Sequence, residues 1–558
     1  MKAANTSTIL KDRIFTEKHF PCYTIAVIAK TVKEGGRLIK KAGNLFTTAY
    51  LLLIFGVYPF YMKQGYVDIG KAKYYFFIYS SLAALGIFAL ISILLGVQNI
   101  YQWLKKRKQH LADWDKLSSV DLFVIMFATE IFISYTLSDF RKEALWGTEG
   151  WYMGLVLKLT LCALYFMISR LWDGSRSVWY TVIAASGAVF FLGILDRFSI
   201  YLIPLEIRQP EFISTIGNIN WFSGYLSVLA PIGICMFLFQ NESNFKKLLF
   251  GIYAVVSFMA GLSQGGDSIF IFFAALFFIL LWISINKNEW LRNYFLLIFL
   301  WGFSAQMIRL MRFLMPDSYN YDTNNLCAYA TGTNITLIVG ILGLVVYGIL
   351  IWKKEKFFLN ERIQKMVKKA MCVFLFGGVV LWLVLAEINT FRGIPGLEEK
   401  SFLLLNENWG NGRGAAILVA FMSFKQMPVL HKILGTGPDC FSVYVYSLPD
   451  VAVKLREAFG DSRLTNAHNE LLTCLVNEGI LGVCLFLGIM IFSVKNSMKK
   501  GDTNYIYYAM AVCVICYLCH NMVSFEQVLN LPFLFLLMGM GRAESQSAEI
   551  NFRIPRVE

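Results

Sequence analysis

The chain has 558 residues, of which 57% are hydrophobic and only 16% charged, and its mean hydropathy is positive. A water-soluble chain is nearer a quarter charged, so a soluble domain of any size is excluded and an all-α integral membrane protein is expected. The net charge of +14 then reads as Lys and Arg retained on the cytoplasmic side of a bilayer, not as a nucleic-acid footprint.

Polar and basic residues run from Lys2 to Lys41, which suits a cytoplasmic segment over residues 1–43 and not a cleavable signal peptide. Apolar windows long enough to cross the hydrocarbon core then follow at 44–62, 74–98, 120–138, 151–171, 178–196, 221–240, 246–263, 267–286, 291–311, 333–352 and 370–388. Three more lie at 470–493, 504–522 and 526–541, before a cytoplasmic tail over 542–558. The expectation is therefore about fourteen transmembrane helices, eleven in 44–388 and three in 470–541. Of the eleven cysteines, Cys162, Cys235, Cys372, Cys484, Cys513, Cys516 and Cys519 fall inside these windows, where they act as small apolar residues. No pair with metal spacing stands in a polar loop, and neither metal nor cofactor is expected.

Charge orients the chain. Lys105, Lys106, Arg107 and Lys108, the pair Lys246 and Lys247, the basic run 353–369, and Lys495, Lys499 and Lys500 share one side if the N-terminus is inside. No Lys or Arg occurs in 313–332 or 523–526, while Lys63, Lys71 and Lys73 are the exception in the first outer loop. Both termini are thus expected inside. One large extracytoplasmic loop, 389–469, holds Trp409, Phe421, Phe424 and Phe441 and an apolar helix-like stretch at 415–427. It reads as an ordered cap with an amphipathic segment at the outer membrane surface.

Charges at mid-membrane depth are expensive, and few stand there, which argues against a proton-coupled transporter; Glu130 is the clearest exception. Polar residues gather instead at outer span ends: Ser138, Asp139 and Arg141; Asp196 and Arg197; Asn218 and Asn220; Ser263 to Asp267; Arg309 and Arg312. Their convergence under the loop would make a polar chamber at the outer leaflet. Two patches carry the sharpest signal. In Trp409-Gly-Asn-Gly-Arg413-Gly414, glycines before a helix would free backbone N–H groups for an anion, with Arg413 as a bidentate phosphate ligand. In Ala467-His468-Asn469-Glu470, continuing to Asn477-Glu478-Gly479, His468 sits where the chain re-enters the membrane and suits a general base. His19 and His110 are expected to be cytoplasmic, His431 solvated, and His520 at an outer span end.

These pieces, in this order, resemble the O-antigen ligase and O-antigen polymerase superfamily of bacterial membrane glycosyltransferases. The resemblance rests on LSDFRKEALWGTEGWYMGL (137–155), GNINWFSGYLSVLAPIG (217–233), RGAAILVAFMSFKQMPVLHKILGTGPDCF (413–441) and AHNELLTCLVNEGILG (467–482). It implies metal-independent, inverting transfer of a glycan from a polyprenyl-diphosphate carrier to a glycan, lipid or protein acceptor at the outer face of the bacterial plasma membrane. On it His468 would be the base and Arg413 would bind the diphosphate, with Asn218, Asn220, Asn469, Glu478, Arg309 and Arg312 as further substrate-binding candidates. One departure stands out: where many members carry a Ser-Arg-Gly element, this chain has Ser263-Gln264-Gly265, so Arg309, Arg312 or Arg197 would have to supply the second cation. The competing reading is a transporter or flippase of polysaccharide or small solutes, which would predict internal repeats and midplane broken helices. No nucleic-acid partner is expected in either case; membrane lipids are.

Overall fold

A computed structural model describes residues 20–106, 117–205, 207–240, 243–321, 325–353 and 360–544. Residues 1–19 with His19, the basic Arg107 and Lys108 with His110, Lys354 and Lys356, and the tail from 545 onward lie outside the described residues.

The described chain is helical almost throughout. Helices α1 (Phe20–Gly56), α2 (Ile69–Lys106), α3 (Ser119–Leu137), a short α4 (Arg141–Trp146), α5 (Leu155–Leu171) and α6 (Arg176–Arg197) lead to a two-strand antiparallel pair, β1 (Phe212–Ile213) and β2 (Gly217–Asn218). Then come α7 (Ile219–Phe239), α8 (Asn244–Ser263), α9 (Ile269–Ser284), α10 (Asn288–Leu314), α11 (Leu326–Gly332), α12 (Ile335–Lys353) and α13 (Glu361–Arg392). Four helices follow in the expected cap: α14 (Arg413–Gln426), α15 (Val429–Leu434), α16 (Phe441–Ser447) and α17 (Pro449–Phe459). The chain closes with α18 (Glu470–Asn477), α19 (Gly479–Lys500), α20 (Ile506–His520) and α21 (Leu531–Glu544).

Ten helices among the described residues are long and apolar enough to cross a membrane, and α9, α20 and most of α21 are shorter but as apolar. This is the architecture of a polytopic membrane protein. α7 is apolar on every face and buried along its whole apolar window, as a helix surrounded by others must be. At the edge, only 17% of the α12 window and 6% of the α13 window is buried. Phe374, Phe376 and Leu381 stand exposed on α13, a surface that suits hydrocarbon and not water.

Every expected apolar window overlies a helix, but the window 470–493 is two helices, not one. The break at Glu478–Gly479 has a tertiary cause. The N–H groups of Thr436 and Gly437 donate to the carbonyls of Val476 and Asn477 at 3.1 and 2.9 Å, so the last carbonyls of α18 are satisfied from outside the helix. Gly479 turns the chain at φ +69, and a Cβ there would lie 2.4 Å from the Ile433 carbonyl. Gly435 is pressed as closely on the Asn477 carbonyl. The G-x-G turn at 435–437 and the glycine after Glu478 are thus two halves of one close backbone contact.

The cap has a small apolar core of its own. Ala416, Val419 and Ala420 of α14 pack with Phe441, Val445, Val451 and Leu455, and with Ala467 and Val476 at the re-entry. The outer face of α14 leaves Phe421 exposed. Lys73, an exception to the charge rule in the sequence, is fully buried in α2 and donates to the Tyr58 and Pro59 carbonyls at 3.1 and 2.6 Å. It caps a short 3-10 turn (Tyr58–Phe60).

Candidate functional site

The loop between α20 and α21, residues 521–530, is the hub of the polar helix ends. The Glu470 N–H donates to the Asn521 carbonyl at 2.9 Å, Asn469 Nδ2 to Met522 O at 2.9 Å, and Arg413 Nε to Val523 O at 3.1 Å. Asn469 also caps α18 by accepting the Leu472 N–H at 3.0 Å, so one carboxamide fixes both the helix start and the loop. Across from it, Asn218 caps α7 by accepting the Asn220 N–H at 2.9 Å, at the point where the β1–β2 pair ends.

Between these elements opens a cleft of about 340 Å³, lined by Asn218, Asn220, Arg463, Asn466 and His468 and walled by aromatic rings. The size falls within the range of small-ligand sites. Trp221, Trp151 and Phe525 form an edge-to-face series, with centroids 5.5 and 4.8 Å apart, and Phe525 meets the His468 ring at 5.4 Å. Among the described residues, no carboxylate lines the cleft. His468 is held in a left-handed backbone conformation, φ +48, with its N–H on Asn466 Oδ1 at 3.0 Å. A histidine in that region is uncommon and implies that its surroundings hold it there. Burial first, and the nearby Arg413 cation second, bring its pKa down to about 4. The ring is therefore neutral at pH 7 and free to accept a proton.

Arg413 is near but differently placed than the sequence suggested. Its Nη1 donates to Gly410 O at 2.8 Å, and it is within electrostatic reach of Asp267 and His468. The glycine turn before it is closed on itself: the N–H groups of Gly414 and Ala415 donate to the Trp409 and Glu407 carbonyls at 3.0 Å each. Those two donors are therefore not open to an anion. Arg309 and Arg312 line a separate cleft with Tyr319 and Thr331; Arg309 bonds Asn334 Oδ1 at 2.7 Å and Arg312 lies 4.9 Å from the Tyr319 ring centre. Arg197 is fully buried and donates to the carbonyls of Ser263, Gln264 and Pro210 and to Asn320 Oδ1. It braces the Ser263–Asp267 turn from behind. His431 is half-buried with Nδ1 2.7 Å from Gly435 O, and His520 is fully buried beside Asn521.

Glu478 lies away from the cleft, fully buried, with Oε1 2.6 Å from Lys158 Nζ. The same ammonium meets Glu526 at 2.6 Å. Sequence reading passed over this centre because a hydropathy window averages one lysine into sixteen or so apolar neighbours. It also passed over Arg463 and the tryptophans, whose meeting depends on contacts between distant segments. Asp439 of the G-T-G-P-D turn accepts the N–H groups of Thr148 and Met153 at 2.7 and 3.0 Å, tying the cap to the 147–154 loop. Burial pushes that carboxyl up to about 7.

The chain matches no protein-family model and no curated protein.

Proposed function

We propose that the protein is a membrane glycosyltransferase of the O-antigen ligase or polysaccharide polymerase type, moving a glycan from a polyprenyl-diphosphate carrier to an acceptor hydroxyl at the outer face of a bacterial plasma membrane. The reading includes about fourteen membrane crossings, both termini inside and 389–469 outside. One observation carries it: a neutral imidazole, the carboxamides of Asn218, Asn220 and Asn466 and a run of aromatic rings share a cleft with no carboxylate among the described residues that line it. Aromatic faces and carboxamides suit the apolar and hydroxyl faces of a sugar, and a lining of described residues without carboxylates suits a diphosphate. Three of the four motif fragments of the family resemblance also meet in space, through Asp439 on 148–153 and Gly437 on Asn477.

In this reading His468 takes the proton of the acceptor hydroxyl as its oxygen attacks the anomeric carbon. The carbon–oxygen bond to the diphosphate breaks, and the electron pair leaves with the phosphate. Arg413 and Arg463 offset the charge that develops there, and a single displacement inverts the anomeric centre. The test is transfer in proteoliposomes carrying polyprenyl-diphosphate-linked glycan, with chelator present. Product from wild type that vanishes with His468→Ala supports the reading; undiminished product from that variant removes His468 from the chemistry.

A second reading, a proton-coupled transporter of polysaccharide or small solutes, draws on the buried Lys158 centre, since intramembrane ionisable groups mark proton paths in such proteins. Solute uptake driven by a pH gradient in the same vesicles, without glycan transfer, would favour it.

A further inference from the structure

Beneath the cleft, one ammonium stands among more carboxyl groups than it can neutralise. Lys158 of α5 is 3% exposed and contacts Glu478 and Glu526 at 2.6 Å each. Glu470 of α18, also buried, accepts from Tyr517 Oη at 3.4 Å and from Asn521 Nδ2 at 3.5 Å. Glu130 of α3 is 2% exposed, and neither of its oxygens has a hydrogen-bond partner. It points into the same chamber: a Cβ added to Gly482 would be 3.2 Å from Glu130 Oε2 and 2.2 Å from the Glu478 Cβ. The second Glu478 oxygen is unpartnered too. The other titratable groups facing the chamber are Cys162, Cys474, Tyr517 and, from the cap, Asp439 and Cys440. None of these supplies a second cation.

A buried carboxylate with neither a hydrogen bond nor a counter-charge is not sustainable, and such a group takes a proton instead. We propose that this chamber is a proton-binding site whose proton sits on Glu130. A metal ion is a poor occupant, because the Lys158 ammonium already fills the point between Glu478 and Glu526. Glu526 has the most exposed side chain of the five charged residues, at 10%, and follows Phe525 of the cleft wall. The proposal holds whether the cleft transfers glycans or not.

The test is infrared spectroscopy of the full-length protein in nanodiscs of zwitterionic phospholipid, in H₂O and D₂O. Spectra are taken a unit or more above the Asp439 value, so that Asp439 is ionised. Wild type should show protonated-carboxyl C=O absorption that shifts in D₂O. Glu130→Gln should remove a component of that band without loss of thermal stability, since a neutral carboxamide replaces a neutral carboxyl. Glu478→Gln should leave it in place and should lower the unfolding temperature. Carboxyl absorption that is absent in wild type, or unchanged in Glu130→Gln, overturns the proposal. If Glu130→Gln does not fold, Glu130→Asp should shift the band; an unshifted band overturns the proposal.

Discussion

The cleft and the ionic chamber below it are separated by one peptide bond, between Phe525 and Glu526, and they are built on opposite principles. The cleft is open, ringed by aromatic rings and free of carboxylates, with cationic Arg463 at its edge. The chamber is closed, and its carboxyls outnumber its single lysine. The first is shaped to admit something; the second already contains its own ligand groups and mainly holds helices together. The 521–526 loop belongs to both, so a change in either should be felt in the other through it. That shared wall is what mutations can break or sharpen.

The largest effect is expected in the cleft. His468→Ala should lower transfer about a hundred- to ten-thousandfold, the span of general-base catalysis, with membrane abundance and thermal stability unchanged in a fluorescence-detected unfolding assay. Next comes the chamber. Lys158→Met strands Glu478 and Glu526 without a cation and should lower stability by about 3–5 kcal/mol. Adding Glu478→Gln and Glu526→Gln should restore most of it; failure to recover would mean that Lys158 packs more than it pairs. Arg413→Lys keeps the charge but not the planar fork that grips Val523 and Gly410, and a roughly tenfold loss of transfer is expected. The smallest effect is in the pH profile. Because the His468 pKa lies at about 4, below the ordinary imidazole value, activity through a neutral ring should persist into mild acid and fail only near that value. Stability carries the same sign: it is complete above the unfolded imidazole pKa and is lost as pH falls toward the folded one. Arg413→Gln removes the cation that helps depress it, so the acidic limb should move upward.

Much of the helix pattern could be read from the sequence because apolar length is a local signal. What could not be read was everything set by contact across the chain. The break at Glu478–Gly479 exists because the 435–437 turn, some forty residues earlier, satisfies the carbonyls of α18. Of the polar span ends, Asn218 and Asn220 meet His468 in one cleft, whereas Arg309 and Arg312 line another. Arg197, a candidate second cation by residue type, proves to be a brace for the very turn whose sequence departs from the expected motif. Residue type and position at a span end cannot distinguish a guanidinium that greets a substrate from one saturated by carbonyls. Lys158 shows the same limit from the other side, since a lone lysine in an apolar stretch gives no hint of partners hundreds of residues away.

That distance bears on how the protein is made. α5 carries Lys158 in a helix of only 17 residues, and the carboxylates that neutralise it are Glu478 and Glu526, near the far end of the chain. During synthesis α5 must enter or wait beside the bilayer with its ammonium unmatched until Glu478, 320 residues on, is made, an arrangement that membrane insertion disfavours. The final placement of α5 therefore waits for α18 to α21. A prematurely terminated chain would leave behind a helix that quality control can recognise by its orphan charge.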